Sequence, residues 1–261
     1  IIHAPKVILA TGGLSYPSTG STGDGYAMAQ TGGHSIISCR PSLVPLICQE
    51  SIPKELAGFS LRNVALTVNQ ANGKPLCSFF GEMNFTENGI GGPIVLSTSR
   101  IVASHLEQGP LTAHLDLKPA VEKEELDHRL INDLNGNGNR ILNDAMRMWL
   151  PAELIPFFFQ TNKIEQYKRL NQINGKERKM ILQFLKDITL TLCGTRNYEE
   201  AIVTQGGVCL KEVNPKTMES KLTKGLFIAG ELLDLDADTG GYNLQIAFST
   251  GHAAGLGATL E

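Results

Sequence analysis

The chain has 261 residues, 42% hydrophobic and 19% charged, long enough for a large core and for more than one domain. A net charge of −3 and a pI near 6.1 argue against a nucleic-acid or anionic-membrane surface as the main partner. The longest apolar runs, such as "PKVILAT" and "KGLFIAG", are too short to cross a bilayer. The five cysteines contain no C-x-x-C, and the six histidines no H-E-x-x-H, so neither a disulfide framework nor a metal site is suggested. This leaves reduced thiols in a cytoplasmic protein.

The sequence opens without Met and directly in an apolar run from Ile2, which reads as a piece of a longer chain. "KVILA" suits a buried parallel strand, covered on both faces, that ends in Thr11-Gly12-Gly13. A glycine-rich loop and a short helix follow, with Asp24 or Thr22 as N-cap and Gly32-Gly33 as the stop. From Pro41 the pattern alternates, and Asn72-Gly73 marks a hairpin. "GIGGPIVLSTSRIVASHL" reads as a helix with Pro93 in its first turn, and "GPLTAHLDLKP" as another strand. Residues 121–187 have helical spacing, broken by the polar turn "NGNGNR". Strands then return in "TLTLCGT", "EAIVTQGG" and "GVCLKEV", and "KGLFIAGE" repeats the strand-to-glycine logic of the opening.

The organisation is therefore nested. An α/β part, residues 1–40 and 205–261, encloses a β domain, residues 41–118 and 188–204, which encloses a helical subdomain, residues 119–187.

Glycine lets the backbone take positive φ and lets a ligand approach closely. "ATGG" and "FIAGE" both fall where a parallel strand would end, and ligands of open α/β sheets lie beyond those ends. "TGGYNLQIAFSTGHAAG" suits a helix from Asn243 with small residues at Ala247, Ser249, Gly251, Ala254 and Gly255, able to pack close to a sheet. Its N-terminus would favour an anionic or electron-rich group, such as the N1/C2 edge of a reduced flavin. Glu231 stands apart from Asp234, Asp236 and Asp238, which read as solvated loop charges. No G-x-G-x-x-G is present, so a dinucleotide pyrophosphate has no cradle in this chain.

These segments, "VILATGGLSYPSTGSTGDGYAMAQTGGH", "GEMNFTENGIGGPIVLS" and "VTQGGVCLKEVNPKTMESKLTKGLFIAGELLDLDADTGGYNLQIAFSTGHAAG", resemble the YhiN/BaiN-type flavoproteins, the aminoacetone-oxidase-like FAD-dependent oxidoreductases, over nearly the whole chain. The resemblance implies an FAD-binding α/β domain interrupted by a β-barrel-like domain that itself carries a helical insert. It also implies an upstream Rossmann segment carrying the G-x-G-x-x-G, so the chain reads as a C-terminal part of such an enzyme. Carried over by match, Thr11, Gly12 and Gly13 would lie by the FAD pyrophosphate or adenosine, and Gly230 and Glu231 by the ribityl–pyrophosphate section. Gly240, Gly241, Asn243 and Leu244 would hold the isoalloxazine edge, with Gly206 and Gly207 near the ring. The family often reads "FTHxGxSGP" where this chain has "FTENGIGGP", with Glu87 in place of His and Gly91 in place of Ser; the motif is read as shaping the β domain, the other reading being a proton-transfer role that is vacant here or passes to Glu87.

The implied activity is hydride transfer between flavin N5 and a small organic substrate, with the inserted domains capping the flavin. Reoxidation by oxygen or reduction by NAD(P)H both stay open. No convincing catalytic side chain stands out; Tyr16, Tyr242 and His252 are conceivable proton donors that read as packing or surface residues. The alternative is an inactive cap, half-site or interaction module that binds no flavin by itself.

Overall fold

The computed structural model describes residues 3–52, 54–70 and 72–259. In chain order its elements are β1 (Val7–Leu9), α1 (Asp24–Thr31), β2 (Ile36–Ser42), β3 (Leu46–Cys48), β4 (Ser60–Asn69), β5 (Pro75–Thr86), β6 (Gly89–Gly91), α2 (Pro93–Leu106) and β7 (Leu111–Asp116). Then come α3 (Lys123–Gly136), α4 (Leu142–Ala145), α5 (Leu154–Asn162), α6 (Gly175–Lys186), β8 (Ile188–Thr195), β9 (Val203–Val208), β10 (Leu226–Ile228) and α7 (Tyr242–Thr259). They fall into two compact units. One comprises the segments up to Pro45, Ser99–Glu107 and from Thr195 on; the other comprises Leu46–Thr98 and Gln108–Gly194.

The second unit is built on a closed six-stranded barrel in the order β3-β6-β5-β4-β7-β8. Strands β4 and β5 form the expected hairpin, with Gly73 at φ +79° and the Gly73 N–H donating to the Gln70 carbonyl at 2.9 Å. Burial alternates along β7, where Leu111, Ala113 and Leu115 point inward. In β4 the alternation would fail between Leu61 and Val64. Asn63, at φ +56° on a register shift, adds the extra residue that turns both side chains inward.

The helices of this unit follow the sequence closely. The first turn of α6 is closed by a capping box. The Asn174 side chain accepts from the Lys176 and Glu177 N–H groups, and Glu177 accepts from the Asn174 N–H at 2.9 Å. Phe157 and Phe158 of α5 meet Phe184 of α6 edge-on at 5.8 and 5.2 Å, and Phe85 of β5 adds a contact to Phe157 at 6.5 Å, so helices and barrel share one aromatic core.

The first unit holds a two-stranded parallel sheet, β1 with β10, and a two-stranded antiparallel sheet, β2 with β9. Its core gathers Tyr26 and Ala29 of α1, Phe227 and Ile228 of β10, Leu232 and Leu233 of the turn that follows β10, and Ala254 of α7. The expected strand start at Ile2 lies outside the described residues. The expectation of a fully covered strand is not met: Val7 and Ile8 are 46% and 43% exposed, because β10 is the one strand partner of β1 among the described residues. Two further readings need correction. Gly23, in the left-handed region at φ +82°, is the N-cap of α1 instead of Asp24 or Thr22, since it alone can take that turn without strain. "GVCLKEV" is not a strand; β9 stops at Val208, and a short 3-10 turn, Leu210–Glu212, follows.

Candidate functional site

The parallel pairing of β1 and β10 sets Leu9 beside Ile228, and the Ala229 N–H donates to the Leu9 carbonyl at 3.0 Å. Both strands therefore end at the same level, and "TGG" and "GE" leave from the same end of the sheet. That end is where ligands of parallel sheets sit.

Thr204 of β9 joins the two turns. Its hydroxyl accepts the Leu14 N–H at 2.8 Å and lies 3.1 Å from the Ser15 hydroxyl, while its own N–H donates to Glu231 Oε1 at 2.6 Å. Gly13 packs into this knot; a Cβ there would stand 2.5 Å from Thr204 Oγ1 and 2.7 Å from Glu231 Oε1. Gly25 has the same reason for being glycine, since the first turn of α1 lies directly on the Thr11 side chain. Neither Thr204 nor Gly25 stands out in the sequence, because only the fold brings residues 11, 25, 204 and 231 together.

Helix α7 runs antiparallel to β10. Thr250 Oγ1 accepts the Gly230 N–H at 2.9 Å, whereas Gly257, seven residues on, lies against the Thr217 carbonyl and the Phe227 ring. The N-terminus of α7 therefore lies about 12 Å beyond Gly230, out past the end of the sheet. The Tyr242, Asn243 and Leu244 amides precede the first helical hydrogen bond, from Gln245 N–H to the Gly241 carbonyl at 3.0 Å. Of the small residues expected to pack this helix, Ala254 is buried, but Gly251 and Gly255 face open space; the close approach is made by Gly257.

The loop before α7 is locked. Asn243 closes a pair of hydrogen bonds with the main chain of Ala237, accepting its N–H and donating to its carbonyl, both at 2.8 Å. Asp236 is not a solvated charge. Its side chain is 11% exposed and receives Arg100 Nε at 3.0 Å, while Ser42 and Gln205 donate to the same carboxylate. Arg100 also donates to the Asp236 carbonyl at 2.9 Å and stands 3.6 Å from Asp238. Burial, followed by the neighbouring Asp236, pushes the Asp234 carboxyl above its usual range against the pull of Arg40. This cluster fixes the approach to Gly240 and Gly241 at φ +116° and +90°.

Gly12, Gly230 and Gly241 of the loops differ from Gly206 and Gly207 of β9. Gly12, Gly230 and Gly241 have φ of +77°, +74° and +90° and nothing closer than 3.8 Å to an added Cβ. They border open space and are glycine for conformation and access. Gly206 and Gly207 are buried, and an added Cβ would strike the backbone of Ser38 and of Leu232–Leu233. Their side faces protein main chain.

Behind the turns lies a polar interior. The Tyr26 hydroxyl is buried beside the Cys39 thiol. Burial, then the neighbouring Cys39, raises its pKa, with Glu231 and Tyr198 adding to the effect. Burial pushes the Tyr198 phenol up to about 12. Tyr16, Tyr242, Leu244 and His252 are exposed. In the other unit Glu87 is exposed in the β5–β6 turn and Gly91 is buried in β6 beside Asn84 and Thr86, so the motif there forms a barrel hairpin.

No group of three or more His, Cys, Asp or Glu among the described residues is placed to hold a metal. The turns at Gly12, Gly230 and Gly241 border open space, and the N-terminus of α7 presents free backbone N–H groups beyond them.

Residues 1–257 match the family described as "HI0933-like protein Rossmann domain". The chain is 32% identical over 256 residues to a 3-dehydro-bile acid delta(4,6)-reductase of Clostridium scindens, covering 98% of this chain and 62% of that protein. It is 34% identical over 251 residues to a ribosomal RNA dihydrouridine synthase of Haemophilus influenzae, covering 96% and 59%. To a protein of the same name from Escherichia coli it is 31% identical over 252 residues, covering 97% and 60%. The chain thus spans about three-fifths of the length of these relatives.

Proposed function

The chain belongs to the HI0933-like family, and on that premise we propose that it carries the flavin-facing part of an FAD-dependent oxidoreductase acting on a small organic substrate. The observation that carries this reading is the common level of the β1 and β10 ends, with the open glycines Gly12 and Gly230 on that level and the α7 N-terminus beyond it.

Bound FAD supplies hydride transfer through its N5. In this reading the chain's own groups position it. Thr11, Gly12 and Gly13 admit the pyrophosphate side of the cofactor. Gly230 leaves room for the ribityl chain. Glu231 holds the turn together through Thr204 with one oxygen and offers the other to a hydroxyl. Gly240 and Gly241 admit the isoalloxazine edge, and the Tyr242–Leu244 amides meet its electron-rich side. Asn243 serves by clamping Ala237. Gly206 and Gly207 act through packing, keeping β9, and so Thr204, in register. Selection of the substrate is assigned to the barrel and helical segments, residues 41–118, 119–187 and 188–204.

The relatives, a 3-dehydro-bile acid delta(4,6)-reductase and two ribosomal RNA dihydrouridine synthases, all carry names that describe a reduction. They favour NAD(P)H over oxygen as the flavin's partner here. Two of the names concern ribosomal RNA, whereas a net charge of −3 favours a small molecule over a polyanion.

An FAD titration of the purified chain, read by flavin fluorescence, tests the cofactor. Saturable quenching that Gly241→Val weakens supports the placement. Absence of binding supports the second reading, a half-site that holds no flavin by itself, which the lack of a G-x-G-x-x-G in the chain favours. Stopped-flow mixing of a flavin-loaded form with NADPH or oxygen distinguishes reductase from oxidase.

A further inference from the structure

The barrel unit contains two cavities that share a wall. Trp149 and Lys118 line both. The larger, about 450 Å³, has apolar sides of Leu61, Val64, Leu117 and Leu150, with two cations, Arg62 and Lys118, and no carboxylate in its lining. The smaller, about 210 Å³, includes Asp133, but that carboxylate is engaged by the indole N–H of Trp149 at 2.8 Å.

Lys118 is held by its main chain. Its N–H donates to Asp116 Oδ1 at 2.7 Å, and its carbonyl accepts from Lys186 Nζ at 3.0 Å. The second Asp116 oxygen is taken by Lys186 at 2.6 Å. Among the described residues no carboxylate pairs with the Lys118 ammonium, although the residue is half-buried. Arg62 stands at the rim, 81% exposed and 3.7 Å from Glu82. A half-buried lysine lining an apolar cavity, paired with no carboxylate among the described residues, is complementary to an anion, and the walls are complementary to an apolar body. The volume falls within the roughly 300–1,000 Å³ of small-molecule sites.

We infer that this cavity binds a compact organic monocarboxylate, its apolar body against Trp149 and the neighbouring leucines and its carboxylate on Lys118. The site is independent of the flavin reading.

Trp149 is the single tryptophan of the chain, so its emission reports this wall directly. The probe is 1-adamantanecarboxylate, compared with the uncharged 1-adamantanemethanol, added to the full chain. The carboxylate is expected to change Trp149 emission saturably and to bind about tenfold more tightly than the alcohol, as one charge pair in a partly desolvated site allows. Lys118→Met should lose that advantage while keeping the thermal midpoint; if Lys118→Met does not fold, Lys118→Gln serves the same purpose. Lys118→Arg should keep the advantage. No saturable change, equal binding of the alcohol, or undiminished binding by the folded neutral variant overturns the inference.

Discussion

Thr250 Oγ1 accepts the Gly230 N–H at 2.9 Å while its own hydroxyl donates to the Ile246 carbonyl at 2.7 Å. One side chain in the middle of α7 thus fastens the helix to the turn that ends β10. Thr250→Val keeps the shape and removes the acceptor. It should cost about 1–2 kcal/mol in urea denaturation, since a partly buried N–H is left without a partner. Thr250→Ser should recover most of the loss; equal stability of the valine variant would show that water replaces the contact.

Gly241 sits at φ +90° with nothing within 4 Å of an added Cβ. Gly241→Val must adopt a backbone that β-branched residues avoid, at about 1–2 kcal/mol, and its side chain enters the open space. The expected outcome is a folded protein with lower flavin occupancy, read by absorbance in the visible. A variant that takes up flavin as fully as the wild type removes the flavin edge from this turn.

Asp236 gathers Arg100, Ser42 and Gln205 around one carboxylate. Asp236→Ala leaves Arg100 without its main partner. A loss of about 2 kcal/mol is expected, with the loop before α7 released. Hydrogen exchange should rise first at the Ala237 amide, which Asn243 otherwise holds. Unchanged exchange there would mean that the Asn243 clamp holds the loop without the ion pair.

Burial pushes the Glu177 carboxyl up, but hydrogen bonds from Lys168 at 2.7 Å and from the Asn174 N–H outweigh it and hold the group below its usual range. A carboxyl lowered on folding contributes stability that is complete above its unfolded pKa of about 4.3. That stability is lost as pH falls through the folded value. The stability difference between wild type and Glu177→Gln should therefore be largest near neutrality and shrink as pH drops below about 4. Urea denaturation at several pH values checks this; a difference that grows with acidity contradicts it.

Burial, then Glu50 and Cys193, pushes the Cys48 thiol up to about 12, whereas Cys193 is exposed. A disulfide-exchange reagent at mild alkaline pH should modify Cys193 promptly and Cys48 only as the barrel opens. Equal rates at the two would place Cys48 at the surface.

The periodic parts of the chain were legible from sequence. The Asn72-Gly73 hairpin, the Pro93 helix, the helical stretch around α3 and α6, and the strand-to-glycine repeat all follow from local rules of spacing and turn chemistry. The positive φ of Gly12, Gly230, Gly240 and Gly241 is likewise a local matter, and pairs of glycines at strand ends announce it. What local rules cannot assign is which charge finds a partner. Asp236 and Asp238 look alike in "LDLDADTGG", yet Arg100, 136 residues away in sequence from Asp236, lies 3.0 Å from one and 3.6 Å from the other. Nor can they show that Thr204 ties Leu14 to Glu231, or that Val7 and Ile8 stay exposed on a strand with one neighbour. Sequence by itself determined where most of the turns, helices and strands fall, "GVCLKEV" excepted, because those depend on neighbours a few residues apart. Only the tertiary structure decided which turns share an edge, which glycines face open space and which face main chain, because those depend on contacts between residues far apart in the chain.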